Sequence, residues 1–404
     1  KRVVVTGMSG VTALGNDIDT IFENLLNGKT ATKQMNWDKI DGLNANLAAP
    51  IENFEMPDYP RKKIRGMGRV SKLATVATAN ALEKAGLLDK EEILTNGRVG
   101  IAYGSCSGSP QPLTDLLSII TEQKIGNVNS TTYIKGMSHT CAVNIALFFG
   151  LCGRLIPTSS ACTSSSQAIG YAYEAIKYGL QDVMIAGGAE ELCLSQIAIF
   201  DTLFATSQKN DTPNLTPRPF DKDRDGLVIG EGSATLILES LEHAKARGAK
   251  IYAEVIGFGT NCDAKHLTQP TAEKMQVSLQ LALSDAQISA EQIGYVNAHG
   301  TSTELGDIAE TIATYNTFQR PVNISSIKGY FGHTLGAAGS LEAWLTIEMM
   351  NRNIFIPNIN LDTIDDRCAN LNYITQPISI DTEYVMSNNF AFGGVNTSLI
   401  FKKY

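Results

Sequence analysis

Two periods of apolar residues alternate along this chain. Short aliphatic runs bounded by glycine or polar positions read as strands. They are Arg2 to Val5, the start of 97–108, Leu155-Ile156, the VMIA run within 182–192, residues 251–259, and the YV pair before Asn297. Between them, apolar residues three and four apart read as helices. The clearest helix follows Cys162: Ala168, Ile169, Ala172, Ala175 and Ile176 share one face, and Gly179 stands where a C-terminal cap belongs. Another runs from Val70 to a stop at Ala85-Gly86, and 143–151 is an apolar segment expected to be buried. Residues 110–136 read as irregular or helical. Leu155 and Ile156 read as the end of a buried strand, and VMIA as a second strand closed by Gly187-Gly188. A strand–helix–strand unit around Cys162 predicts a layered α/β fold.

The stretch 322–350, VNISSIKGYFGHTLGAAGSLEAWLTIEMM, repeats the layout of 154–179. Each runs strand, Ser-Ser, short polar turn, then an apolar helix rich in small residues. The chain therefore reads as a duplicated unit packed on itself, with one half over 1–249 and the other over 250–404.

Composition narrows compartment and partners. Only 18% of the 404 residues are charged, 43% are hydrophobic and 35 are glycine, which suits a large core with tight turns. A net charge of −8 argues against non-specific nucleic-acid binding. No apolar run reaches the length of a membrane span, and the chain opens directly on a strand, so no signal peptide is expected. The seven cysteines include no CxxC pair, which fits a reduced, cytoplasmic protein. The five histidines show no ligand spacing, so no metal is expected.

Candidate chemistry gathers at the ends of strands. Cys162 lies on the turn from strand to helix, amid Thr158, Ser159, Ser160, Thr163, Ser164, Ser165 and Ser166. Unpaired N–H groups and the helix dipole at such a place favour a thiolate, so Cys162 is expected to ionise readily. In the second half, His299 is followed by Gly300-Thr301-Ser302-Thr303, and His333 lies between Gly332 and Thr334. Glycines beside a histidine leave room for a ligand. A cysteine with nearby histidines suits acyl-thioester chemistry, and neutral imidazoles can donate hydrogen bonds to a developing oxyanion or enolate. Two other patterns do not complete. Gly7, Gly10 and Gly15, read as a glycine-bearing turn after the first strand, do not make GxGxxG. Asp221, Asp223, Asp225 and Gly226 begin like a calcium loop, but the glutamate falls one position short at Glu231, so the segment reads as a turn.

Four segments carry a family resemblance: ACTSSSQAIGYA at 161–172, NAHGTSTELGDIAE at 297–310, SSIKGYFGHTLGAAGSLE at 325–342 and NNFAFGGVNTS at 388–398. They resemble the β-ketoacyl-acyl-carrier-protein synthases, in particular the elongating synthases I and II, and the resemblance covers essentially the whole chain. It implies the thiolase fold, five layers αβαβα built from two duplicated halves and usually a homodimer. It implies decarboxylative condensation of an acyl chain on Cys162 with a malonyl group. His299 and His333 would assist decarboxylation and stabilise the enolate, Lys328 would support them, and Glu342 matches a glutamate of the same network. Thr301 and Thr303 match positions that contact the phosphopantetheine arm, which arrives on the acyl carrier protein, so no resident cofactor is expected. Phe392, with Phe390 and Gly393 beside it, matches the gating loop, and its N–H would join that of Cys162 in an oxyanion hole.

Departures from the family pattern point to a subgroup. The usual NSFGFGG is NNFAFGG here, and Ala391 would resist φ > 0 and restrict the gate. Tyr330 and Phe331 are bulky and would reshape the space beneath it, and Phe204 falls where an arginine often contacts the carrier protein. These features look similar to the ketosynthases of aryl polyene pathways. In the basic run 61–69, Arg61, Arg65 and Arg69 would share one helical face, and Arg61, Lys62 and Arg65 are a candidate docking patch for the carrier. Three other readings compete. Tyr173 and Lys177 make the YxxxK of a short-chain dehydrogenase, but the glycine pattern is wrong. A thiolase would need a second active-site cysteine. The third is a non-catalytic partner like a chain-length-factor subunit, but those lack the nucleophile and Cys162 is present; the chain could instead be the active ketosynthase half of such a heterodimer.

Overall fold

The computed structural model describes residues 1–404. In the first half the strands are β1 (Val3–Thr12), β2 (Val99–Gly104), β3 (Leu155–Thr158), β4 (Val183–Glu190) and β5 (Gly232–Ser240). Their order across the sheet is β3-β2-β4-β5-β1. The second half supplies β6 (Ala253–Cys262), β7 (Ile293–Asn297), β8 (Asn323–Ser325), β9 (Tyr384–Phe390) and β10 (Val395–Lys402), in the order β8-β7-β9-β10-β6. The two orders are the same, position for position, except that the second half carries one more short strand, Asn372–Tyr373, on the outer edge of β8. Directions repeat as well. The first three strands of each order run parallel, and the last two pair antiparallel. This is the duplication suspected from the Ser-Ser repeat. The halves join along β1 and β6, where Val3, Val4 and Val5 pair with Val255, Glu254 and Ala253.

The principal helices are α1 (Arg69–Lys84), α2 (Thr140–Phe149), α3 (Ser164–Lys177), α4 (Ala272–Ala286), α5 (Glu304–Phe318) and α6 (Ala338–Arg352). α1 and α2 cover the outer face of the first sheet, and α4 and α5 cover that of the second. α3 and α6 pack on each other between the sheets, and each touches strands of both halves. The result is the five-layered thiolase fold. Glycine permits the closest approach in the middle layer: a Cβ on Gly339 of α6 would lie 2.5 Å from the backbone N of Ser166 on α3. All five apolar residues read onto the inner face of α3 are buried, and Gly179 follows its end at φ +76.

Several local expectations change. Gly7 and Gly10 are not a turn, and Gly187-Gly188 do not end a strand: β1 and β4 run through them. A Cβ at Gly7 or Gly187 would sit 2.2 Å from a carbonyl oxygen of Ala81 or Ala234. These glycines serve long-range packing, which local sequence does not display. β3 is largely exposed instead of buried, because it is the sheet's edge strand. Residues 61–69 are not one helix: a single turn, Arg61–Ile64, ends before Gly66 and Gly68, and α1 starts at Arg69. Arg69 is taken up by Glu231 and the carbonyl of Ile51, so it leaves the proposed basic face. On α2 the outer face is open, with Leu147 exposed. The Asp221 segment is a turn as read: its carboxylate accepts from Arg218 and from the N–H groups of Asp223, Asp362 and Thr363.

Candidate active site

The hydroxyl residues around Cys162 build the turn that presents it. Thr163 Oγ1 donates to the Ser160 carbonyl (2.7 Å), Ser164 Oγ donates to the Ala161 carbonyl (2.7 Å), and the N–H of Ser160 donates back to Ser164 Oγ (2.9 Å). Ala161 is held at φ +51, a strained conformation for alanine that turns the next residue inward. Ser165 Oγ accepts from the N–H of Ser340 on α6, and Ser166 Oγ pairs with Thr397 Oγ1 on β10. The nucleophile turn is thereby tied to the other half of the chain.

Opposite the sulfur stand both histidines. His333 Nε2 is 3.0 Å from Cys162 Sγ. Its Nδ1 accepts the N–H of Leu335 at 3.1 Å, so in the neutral ring the proton is on Nε2 and points at the sulfur. Leu335 reaches that position at φ +49. His299 lies edge to face with His333, ring centroids 5.2 Å apart. Two donors approach its Nδ1, Lys328 Nζ at 3.4 Å and Asn389 Nδ2 at 3.3 Å. Its proton is therefore also on Nε2. Lys328 forms a fully buried ion pair with Glu342. The structure thus brings together Cys162, His299, His333, Lys328 and Glu342.

Electrostatics correct one expectation. The Cys162 thiol is not readily ionised in this state: burial pushes it up to about 11. Lys328 and the backbone N–H groups of Phe392 and Cys162 pull the other way. Helix α3 begins only at Ser164, so its free N–H groups do not outweigh desolvation. Burial first, then Lys328, holds both imidazoles well below their usual value, and the two histidines are neutral. These N–H groups, of Phe392 and Cys162, face the sulfur and are the candidate donors to an oxyanion formed there.

A cavity of about 340 Å³ leads to these groups. Thr301 and Thr303 line it, their hydroxyls 2.9 Å apart, together with Phe390, Phe392 and Leu267. The Phe392 ring packs on Phe200 with centroids 5.3 Å apart, and Gly393 (φ +87) donates its N–H to the Leu267 carbonyl. The loop bearing Phe392 is thus held against the polar loop 263–270. Phe204, at φ +54 and 83% exposed, stands at the cavity wall. Ala391 is not at positive φ, so alanine is unstrained in this state. One expectation fails here. Tyr330 and Phe331 do not border the cavity; they fill the main core, with the Tyr330 hydroxyl on the Pro357 carbonyl. Arg61, Lys62 and Arg65 are exposed and form no ion pair, but they do not line the cavity.

Sequence reasoning missed three supporting residues. Glu190, fully buried, accepts from Ser105 Oγ and from the N–H groups of Cys106, Ser107 and Gly336, which anchors the turn after His333. Glu310 accepts the N–H groups of His299 and Gly300, each at 2.7 Å, and burial raises its carboxyl to about 8. Asn389 bridges Glu342 and His299. Glu190 is paired in sequence with Glu191, and Glu310 follows Glu304 and Asp307, so no local signal set either acid apart. Ligand atoms of Cys162, His299 and His333 lie within 4.8 Å of one another, a donor set able to chelate a soft dication, though the Lys328 ammonium beside His299 opposes one.

Fold and site together define a thiolase-fold acyl-condensing enzyme, with the cysteine from one half of the chain and the histidines from the other. Comparison narrows this. The family model for the β-ketoacyl synthase N-terminal domain matches residues 1–244, and that for the C-terminal domain matches 252–362. A 3-oxoacyl-[acyl-carrier-protein] synthase 2 of Vibrio cholerae is 37% identical over 100% of this chain and 99% of its own. A crystal structure of a beta-ketoacyl synthase from Burkholderia phymatum is 56% identical with TM-score 0.99, covering 100% of both chains. A ketosynthase solved in complex with its chain length factor, from Xenorhabdus doucetiae, is 28% identical with TM-score 0.85, over 100% of this chain and 98% of that one. The chain belongs to the β-ketoacyl synthase family.

Proposed function

We propose that the chain elongates acyl chains by decarboxylative Claisen condensation, on the reading that Cys162 carries the acyl group. The observation that carries this is a buried sulfur 3.0 Å from His333 Nε2, with His299 and the Lys328–Glu342 pair beside it. The Cys162 sulfur attacks the thioester of an acyl carrier protein, the N–H groups of Cys162 and Phe392 hold the oxyanion, and the carrier's C–S bond breaks as the thiol's proton passes to the departing carrier sulfur. A malonyl thioester then enters beside Thr301 and Thr303, whose hydroxyls suit the amides of a phosphopantetheine arm. The Nε2–H groups of His299 and His333 donate to its carbonyl oxygen. Carbon dioxide leaves, its bonding electrons pass into the enolate, and the enolate carbon attacks the acyl-cysteine carbonyl. The cysteine sulfur is released and the lengthened β-ketoacyl chain remains on the carrier. Neutral histidines suit this role, because they donate without needing to be charged. The test is malonyl decarboxylation by His299→Ala and His333→Ala, with a loss on the order of 100-fold or more expected in each. Wild-type rates in both variants would overturn the assignment.

The acyl carrier protein is the partner this reading requires, and Arg61, Lys62 and Arg65 are free to meet its acidic surface. A homologous subunit is the second partner. The exposed edge strand β3 and the exposed Leu117, Ile120, Ile125 and Tyr133 offer a face for it, in a homodimer or beside a chain-length-factor-like chain. The likeness to a ketosynthase solved with its chain length factor supports the heterodimer. Co-purification with a homologue lacking the cysteine would decide it. Phe204 at the cavity wall and Ala391 in the loop before Phe392 support the polyene subgroup; Tyr330-Phe331 no longer argue for it. Seven free thiols fit a reducing compartment, so we assign the chain to the cytoplasm; no helix is long and apolar enough to cross a membrane.

A further inference from the structure

We propose that Asn389 is a positioning residue that holds His299 in its Nε2–H tautomer, and so sets the pH range of malonyl decarboxylation. The inference rests on the function proposed above. Asn389 is on β9, buried, three residues before Phe392. Its Nδ2 is 2.6 Å from Glu342 Oε2 and 3.3 Å from His299 Nδ1. An amide nitrogen carries two hydrogens, so one group serves both acceptors. The orientation is dictated by Glu342: turned over, the amide would set its carbonyl oxygen against a carboxylate oxygen. Instead Oδ1 is left buried without a partner, a cost accepted to aim both hydrogens at the catalytic side. The usual NSFGFGG loop has a serine at this position. A hydroxyl has one hydrogen and a shorter reach, and could serve only one of the two acceptors.

The groups facing His299 divide the work. Lys328 Nζ also donates to Nδ1, but at 3.4 Å, and it is drawn into its ion pair with Glu342. His333 meets the ring edge to face and Phe390 covers another side. Glu310 reaches only the backbone N–H, and Cys162 lies across the ring nitrogens. Asn389 is thus the one neutral donor to Nδ1. It keeps that atom an acceptor without adding charge, and it opposes protonation there. Its backbone carbonyl accepts from Thr397 Oγ1, which pairs with Ser166 on α3. The amide is therefore braced from the nucleophile's own helix.

The experiment uses the full chain, with malonyl-coenzyme A as probe and iodoacetamide alkylation of Cys162 as the control reaction. In Asn389→Ala, the decarboxylation kcat should fall about tenfold with KM within about twofold, and the acid limb of the kcat–pH profile should rise by about one unit, the worth of one hydrogen bond. Alkylation of Cys162, which depends on His333 and the turn, should stay within about twofold. Asn389→Ser should shift the limb in the same direction by less, and it decides the matter if the alanine variant does not fold. A profile superimposable on wild type, or equal losses in decarboxylation and alkylation, overturns the proposal and makes Asn389 a packing residue. A wild-type chain that does not decarboxylate malonyl-coenzyme A refutes the proposed function instead.

Discussion

Removing Lys328 should destabilise the protein in a pH-dependent way. Lys328 and Glu342 are each 1% exposed and paired, so Lys328→Met strands a carboxylate in the core. Breaking a buried pair costs about 3–5 kcal/mol. With unfolding entropy near 2.1 cal/mol/K per residue, the 404-residue chain would lose about 4–6 °C in Tm. The pH dependence follows from Glu342. Burial raises its carboxyl, and Lys328 is the leading influence that restrains the rise. Without Lys328 the folded variant keeps a proton that the unfolded chain releases above about pH 4.3, so stability falls as pH rises, by up to about 1.4 kcal/mol per unit. Differential scanning calorimetry at pH 6 and pH 8 should therefore show a larger deficit at pH 8. The double variant Lys328→Met/Glu342→Leu removes both charges and should recover most of the stability while remaining inactive in malonyl decarboxylation. A Lys328→Met deficit that is equal or smaller at pH 8, or a double variant as unstable as the single, would refute the reasoning.

Three further outcomes are expected. Brief treatment with an acyl thioester should modify Cys162 alone, whereas a small alkylator should reach the exposed Cys152 and Cys262 first; an acyl group mapped to any other cysteine would displace Cys162 as nucleophile. Gly339→Ala pushes a Cβ against the Ser166 backbone and should slow acylation of Cys162 at least about tenfold with the fold retained by circular dichroism, and unchanged acylation would show that the helices separate freely. Ala391 lies outside the positive-φ region, so Ala391→Gly should lower stability by under about 1 kcal/mol in urea unfolding, with the ratio of conjugated to saturated acyl turnover unchanged; a shifted ratio in competition kinetics would restore a gating role.

The fold was legible where local pattern and global structure agree. The face of α3, the hydroxyl-rich turn and the second Ser-Ser segment all yield to periodicity, and the last of these disclosed the duplication. Reading failed where a residue answers to something distant in sequence. Gly7 and Gly187 are glycine because Ala81 and Ala234 press on them, not because the chain turns. Tyr330 and Phe331 looked like cavity residues because they precede His333, yet the turn buries them in the core. Cys162 was placed correctly at a helix start, but its ionisation depends on desolvation, which no local motif encodes. Asn389 was invisible for a similar reason: its partners, His299 and Glu342, are each tens of residues away.

The repeated strand order has a consequence for chemistry. Cys162 stands just before α3 and His333 just before the turn into α6, so the thiol and this imidazole occupy matching places in matching halves. Two identical copies of such a half, meeting the same way, would set like against like: thiol facing thiol, or imidazole facing imidazole. Neither pair can divide the labour of nucleophile and hydrogen-bond donor. Covalent linkage of the copies lets each mutate alone, so the symmetry is kept in the scaffold and broken only at its centre.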